Sequence, residues 1–278
     1  MAIAGPSLAK RYSEKYSIIL PDPIVYHEGT MKSGSKTSYA LPESEIQSGA
    51  ETYSSAMGDA VNYFRWILDE FQPFMGKKVL EVGLGHGSYR ACLPDELSYV
   101  GIDIDSDSVA QAQRKYPGDT ILKADIADPS FAASLKGTGI DSVLCINVLE
   151  HILDHRLAVA NLVEIMEPGG HLFLFVPAFQ ALYTELDQLA GHHRRYRRAD
   201  LEALVPSTAK VVVSKYFNSI GGFGWWVNGF FKHKSLNDGA VNAQITVFDK
   251  YILPFSRMLN PVTGPWFGQS AILVVAKK

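Results

Sequence analysis

Between residues 78 and 176 the chain alternates short apolar runs with longer stretches, and this alternation constrains its fold more than any other feature. Lys78–Val82 is apolar and followed by glycines, and Ser98–Asp103, Asp119–Ala124, Ile140–Ile146 and His171–Val176 repeat the pattern. Helical spacing intervenes over Asp107–Tyr116 and His155–Met166, and Glu167-Pro168-Gly169-Gly170 forms a turn before the last run. Short buried-type strands separated by helices predict right-handed βαβ crossovers and a parallel sheet covered on both faces. Ahead of them, Ala60, Val61, Phe64, Ile67, Leu68 and Phe71 predict an amphipathic helix over Gly58–Phe71, ended by Pro73 and Gly76. The rhythm then breaks. Val211-Val212-Val213 and Ser270–Ala276 read as two more strands, with a long aromatic-rich stretch between them that reads as irregular. The expectation is a doubly wound α/β fold whose mostly parallel sheet ends in an antiparallel hairpin.

Composition narrows the function classes. With 278 residues, 47% hydrophobic and 20% charged, the chain can bury one substantial core. A formal net charge of −3 gives no global attraction to nucleic acid or anionic membranes. The two cysteines, Cys92 and Cys145, show no zinc spacing and suggest no disulfide framework, and Cys145 reads as a small buried thiol. The N-terminus lacks a basic segment followed by an apolar stretch, and no apolar run approaches the ~18–20 residues that span a bilayer. The cytoplasm is therefore the expected location, without stable membrane insertion. Residues 1–57 are rich in Ser, Gly, Pro and Tyr without a sustained period, and read as an arm that is either disordered or a functional lid. Residues 58–278 are expected to form the domain.

The most informative segment is Val79-Leu80-Glu81-Val82-Gly83-Leu84-Gly85-His86-Gly87. Glycines at alternate positions after a strand allow a tight turn and close approach of a ligand to the backbone. A dinucleotide loop normally reads G-x-G-x-x-G. Here the spacing is G-x-G-x-G, with Glu81 two residues upstream, which suits a ligand carrying an ammonium group better than a pyrophosphate. Asp103 ends the second strand, where a carboxylate accepts ribose hydroxyls. Asp125 closes the third, placed to meet an adenine amino group, with Ile104 and Ile126 flanking the ring. Each feature alone is weak, but their occurrence in order at successive strand ends is specific.

These segments resemble the class I methyltransferase family. Glu81–Gly87 corresponds to its first motif, Asp103 and Asp125 to its second and third, Asn147-Val148-Leu149-Glu150-His151 to its fourth-strand exit, and Glu167–Leu172 to its turn into strand five. The resemblance covers about residues 58–213 and 270–278. It implies a seven-stranded, Rossmann-like sheet with a reversed last hairpin, S-adenosylmethionine as cofactor, and no metal. Asn62-Tyr63-Phe64-Arg65-Trp66 and Gly191-His192-His193-Arg194-Arg195-Tyr196 are similar to a bacterial subgroup of that family, which does not fix an acceptor.

Methyl transfer is an in-line displacement that needs a positioned nucleophile and sometimes a base. Three histidines are candidate bases: His151, just past strand four near Asn147, and His192 and His193 in the basic loop. His151 equally well caps the next helix. His151 and His155 have a metal-binding spacing, but no third ligand is evident. Arg194, Arg195 and Tyr196 are candidates to bind an acceptor's carboxylate or phosphate. Trp225 and Trp226 lie in a glycine-broken aromatic segment that either fills core or roofs an apolar acceptor pocket, within an insert over residues 218–268. The expected protein is a small-molecule methyltransferase with a partly apolar, optionally anionic acceptor and no nucleic-acid partner. A homodimer is left open, and so is methylation at oxygen, nitrogen or carbon. The rivals are a non-catalytic cofactor-binding protein of the same fold and a nicotinamide-dependent oxidoreductase.

Overall fold

The computed structural model describes residues 58–228 and 239–278. The arm expected over 1–57 lies outside the described residues. In chain order the elements are α1 (Val61–Phe71), β1 (Lys78–Val82), β2 (Ser98–Asp103), α2 (Ser106–Lys115), β3 (Thr120–Lys123), α3 (Phe131–Leu135), β4 (Ser142–Ile146) and α4 (His155–Ile165). They continue with β5 (His171–Pro177), α5 (Glu185–Leu189), α6 (Arg198–Glu202), β6 (Ala209–Phe217), α7 (Ser219–Asn228), α8 (Gly239–Val247), α9 (Leu253–Thr263) and β7 (Ser270–Lys277). The sheet has seven strands in the order β3-β2-β1-β4-β5-β7-β6. Strands β1 to β5 pair in parallel, and β7 runs antiparallel between β5 and β6. The sheet is that of the Rossmann-like methyltransferase fold with its reversed last hairpin.

Period-two alternation sends each strand's side chains to two cores. Leu80, Ile102, Val143, Cys145, Leu172 and Leu174 pack with Leu162 of α4 on one face. Val79, Tyr99, Leu144, Phe173 and Phe175 meet Trp66 and Phe71 of α1 on the other. Burial on both faces is why these strands are mostly apolar, at ~1.5–3 kcal/mol for each large side chain removed from water. The helix ends use local acids. Asp105 accepts from the Asp107 and Ser108 N–H groups at the start of α2, and Asp154 accepts from Leu157 N–H at the start of α4.

The described part of the long stretch before β7 is not irregular. It holds α7, α8, a π-helical turn over Phe248–Ile252, and α9. Gly221, Gly222 and Gly224 lower the helix propensity of α7, but packing overrides it. Asn218 ties α7 to α9: its N–H donates to Asn260 Oδ1 at 2.9 Å, and its Oδ1 accepts from Ser256 Oγ at 2.8 Å and Gly221 N–H at 2.9 Å.

The hairpin also sets the edge where function gathers. β6 runs in the same direction as β5, and Pro177 and Phe217 both pair with Ser270. Six strands therefore end at one edge of the sheet.

Candidate active site

The glycine loop leaves β1 at this edge with three left-handed residues, Gly83 (φ 67°), Gly85 (φ 48°) and Gly87 (φ 68°). Two of them are needed for packing as well. A Cβ on Gly83 would lie 2.5 Å from Val148 Cγ2, and one on Gly87 would lie 2.6 Å from the Tyr116 ring. Gly85 differs, because nothing lies within 4 Å of where its Cβ would be. Its backbone faces open space, and its N–H donates to Asp103 Oδ2 at 2.9 Å. Asp103 Oδ1 accepts from Asp105 N–H at 2.9 Å. Gly85 and Asp105 thus each engage one oxygen, Ile104 N–H also bears on the carboxylate, and acceptor capacity remains. Burial raises the Asp103 pKa, with those N–H groups pulling the other way.

Glu81 is buried, and its Oε2 accepts from the Tyr99 hydroxyl at 2.6 Å. Burial pushes its pKa up to about 8, opposed by that hydrogen bond. Asp125 lies two residues past β3 rather than on it; its Oδ1 accepts from Ala127 N–H at 2.8 Å, and burial raises its pKa. Ile104 is half-buried beside Asp103, whereas Ile126, expected against an adenine ring, packs into the hydrophobic core.

Among the described residues, three besides glycines adopt left-handed backbone, and all three lie just past strand ends at this edge: Asn147 (φ 53°) after β4, Phe179 (φ 58°) after β5 and Asn218 (φ 62°) after β6. Such conformations cost about 1–3 kcal/mol each and persist only where the surroundings impose them. Asn147 is held by its N–H to Phe175 O at 2.8 Å, and the Phe179 ring stacks on Tyr216 and Phe267 with centroids 4.4 and 5.5 Å away.

Two of the three candidate bases come together. The His151 and His192 rings meet edge to face with centroids 4.8 Å apart. His193 is exposed and joins only through its N–H, which donates to Glu150 O at 2.9 Å. Burial lowers the His151 pKa to about 3, with His192 adding to the effect, so at neutral pH the ring is an uncharged base. His155 lies apart from this pair; its Nδ1 is 2.8 Å from the Tyr196 hydroxyl and 2.7 Å from Arg194 Nη1.

The basic loop is turned inward. Arg195, expected to grip an acceptor's oxyanion, is buried and closes on Asp187, with Nε to Oδ1 at 2.8 Å and Nη2 to Oδ2 at 3.0 Å. Arg194 donates to the Ile152 and Leu153 carbonyls, and the Tyr196 hydroxyl donates to Leu149 O at 3.0 Å. Trp225 is half-buried, its Nε1–H donating to Leu182 O at 3.0 Å and its ring lying 5.0 Å beneath the Arg195 guanidinium. Trp226 stays exposed beside Phe223. Glu150 and Asp187 are the members of this cluster that sequence reasoning did not single out. The one available signal was an acid next to His151 in an otherwise apolar strand exit.

The fold is the one shared by class I S-adenosylmethionine-dependent methyltransferases, and comparisons with known proteins point to the same class. Residues 80–174 match the methyltransferase domain family. An uncharacterized methyltransferase of Mycobacterium bovis is 36% identical over 109 residues, 38% of this chain and 53% of the relative. A ubiquinone biosynthesis O-methyltransferase of Vibrio parahaemolyticus is 30% identical over 111 residues, 39% of this chain and 47% of that enzyme. The chain thus spans about half the length of the curated relatives it matches. Among solved structures, the YcgJ protein of Bacillus subtilis shares the fold at a TM-score of 0.50 and 15% identity, over 77% of this chain and 97% of that one. A chain in the complex of the Haloferax volcanii methyltransferase activator with a methyltransferase does so at 0.53 and 14%, over 84% and 99%. No described helix is long and apolar enough to cross a membrane.

Proposed function

We propose that the protein transfers a methyl group from S-adenosylmethionine to a partly apolar small molecule at the carboxyl edge of its sheet. One observation carries this reading: Asp103 binds the glycine loop through Gly85 N–H, beside backbone with open space where a side chain would stand. That pairing presents a carboxylate with spare lone pairs next to a bare peptide, which suits a ribose diol laid across the loop. Asp125 and Ile104 stand where the base would follow, and Asn147 where the amino-acid end would. Glu81 sits behind the loop and fixes Tyr99. A ligand's ammonium group would favour its ionised form, and Glu81 would then act on that group through the field of the site, since its Oε2 already holds a hydroxyl.

When bound, S-adenosylmethionine supplies a sulfonium methyl open to in-line attack. The chain's task is then to orient the acceptor, exclude water and hold its proton. Asn147 and the 3₁₀ turn Leu149–His151 follow β4, and Phe179 with its stacked partners follows β5. An apolar acceptor body would lie on the aromatic side. Arg195 is spoken for by Asp187, so an anionic acceptor group is not part of the proposal.

The test is calorimetric titration of the full chain with S-adenosylhomocysteine. One micromolar site per chain is expected, with Asp103→Ala weakening it at least tenfold. A folded wild-type protein that binds nothing would overturn the reading.

A further inference from the structure

Glu150 is the least comfortable side chain among the described residues. It is fully buried, and neither carboxylate oxygen has a hydrogen-bond partner. An unpaired buried carboxylate costs several kcal/mol, so its neighbours need an explanation. Those neighbours are two imidazoles. One ligand atom each from Glu150, His151 and His192 can be chosen so that all three lie within 4.8 Å of one another.

The tautomer of His192 follows from its other partner. Its Nδ1 lies 2.8 Å from Asp187 Oδ1, and Asp187 also receives the Arg195 fork and Thr184 N–H at 2.8 Å. Burial alone would raise the Asp187 pKa, but the bonds from His192 and Arg195 outweigh it and hold the group ionised. An ionised carboxylate only accepts, so His192 Nδ1 carries the proton. In the neutral ring, Nε2 then points a lone pair toward Glu150 Oε1, 3.8 Å away. That is too long for a hydrogen bond, and with Glu150 ionised it sets two acceptors face to face, an arrangement that a cation between them would relieve. His151 repeats the arrangement, since one face of its hydrogen bonding goes to the Gly191 backbone and leaves the other nitrogen for the cluster.

We propose that Glu150, His151 and His192 form a binding site for a divalent transition-metal ion, with Asp187 fixing the ring of His192. Two imidazoles and one carboxylate are a donor set for zinc, iron, cobalt or manganese rather than for magnesium or calcium, which favour oxygen. Bonds of ~2.0–2.1 Å place tetrahedral donors roughly 3.4 Å apart, so the three side chains need close by little more than an ångström. The Asp187–His192 pair is the carboxylate–histidine arrangement that orients a metal-bound imidazole and raises its basicity. Three protein donors leave coordination positions open, and the partial exposure of His151 and His192 gives access to them. The pair with metal spacing in the sequence was His151 and His155; the structure replaces His155 with a residue from the basic loop. The site stands on its own geometry and does not depend on the proposed methyl transfer.

The experiment uses the purified full chain, stripped with chelator and dialysed. Titration with zinc should show one micromolar or tighter site per chain, and cobalt at the same site should give visible absorption bands of a low-coordinate complex. Glu150→Gln and His192→Ala should each weaken zinc at least tenfold, and Asp187→Asn ten- to a hundredfold. His155→Ala should bind as wild type. Each variant is also titrated with S-adenosylhomocysteine and melted, so that misfolding is recognised. A folded wild type that takes up no zinc or cobalt, or a folded Glu150→Gln that binds as tightly as wild type, would overturn the site. Metal uptake without cofactor binding would instead sink the methyltransferase reading alone.

Discussion

At the residue scale, Gly83 and Gly85 share left-handed backbone but have different neighbours, and that difference separates stability from binding. A side chain at either costs ~1–2 kcal/mol of backbone strain. Gly83→Ala also drives its methyl into Val148, adding about 1–3 kcal/mol. Gly85→Ala meets nothing in the protein, so its melting temperature should fall less than that of Gly83→Ala. Its affinity for S-adenosylhomocysteine should nevertheless drop at least tenfold, because the new methyl occupies the space assigned to the cofactor. Thermal melts and calorimetry on the two variants check both halves; unchanged affinity in Gly85→Ala would remove the ligand from that space. The left-handed turn of these glycines and the position of Asp103 beside it were legible in the sequence because both are local features, a turn and a strand end. The cluster of Glu150, Asp187 and His192 was not. Its members come from the β4 exit, α5 and the loop after α5, and only the tertiary fold brings them together. The inward turn of Arg195 was hidden for the same reason, since its partner Asp187 reads from sequence as an ordinary helix acid.

At the element scale, β1 to β5 were readable because a strand buried on both faces is nearly all apolar and short. The reading missed α7 to α9, where the period is blurred. Glycines dilute α7, a π turn shifts the phase before α9, and Pro261 interrupts α9 itself. α9 earns its place through a few polar contacts. Leu253, Ser256 and Asn260 face inward, whereas Phe255, Met258 and Val262 are exposed. Asn260→Ala removes the acceptor for Asn218 N–H at a buried left-handed residue, and should destabilise by about 1–3 kcal/mol. Val262→Ser changes a side chain that is 73% exposed and should stay within about 0.5 kcal/mol of wild type. Urea unfolding of both variants checks this ordering. Equal losses would mean that the outer face of α9 is covered in solution.

At the scale of the whole molecule, two buried carboxylates and one half-buried imidazole make stability depend on pH in opposite directions. Glu81 and Glu150 have pKa values pushed by burial from 4.5 up to about 8 and about 7. In the window above 4.5 the unfolded chain has already lost these protons and the folded chain still binds them. Stability therefore falls as pH rises, until each folded value is passed. His151, lowered from 6.5 to about 3, works the other way: its contribution is present above 6.5 and lost as pH falls toward 3. The two effects oppose each other between pH 4.5 and 6.5, and above that range only the carboxylates still act. Chelator-treated protein should thus lose stability from pH 6.5 to 8. In Glu150→Gln the ionisable group is gone, so the variant should gain on wild type between pH 5 and 8 by an amount on the order of 3 kcal/mol. Denaturant unfolding of the metal-free pair at matched pH values measures that difference directly. A gap that does not widen with pH would mean that Glu150 is ionised in the folded protein without a bound cation, paired with an imidazolium rather than holding its own proton.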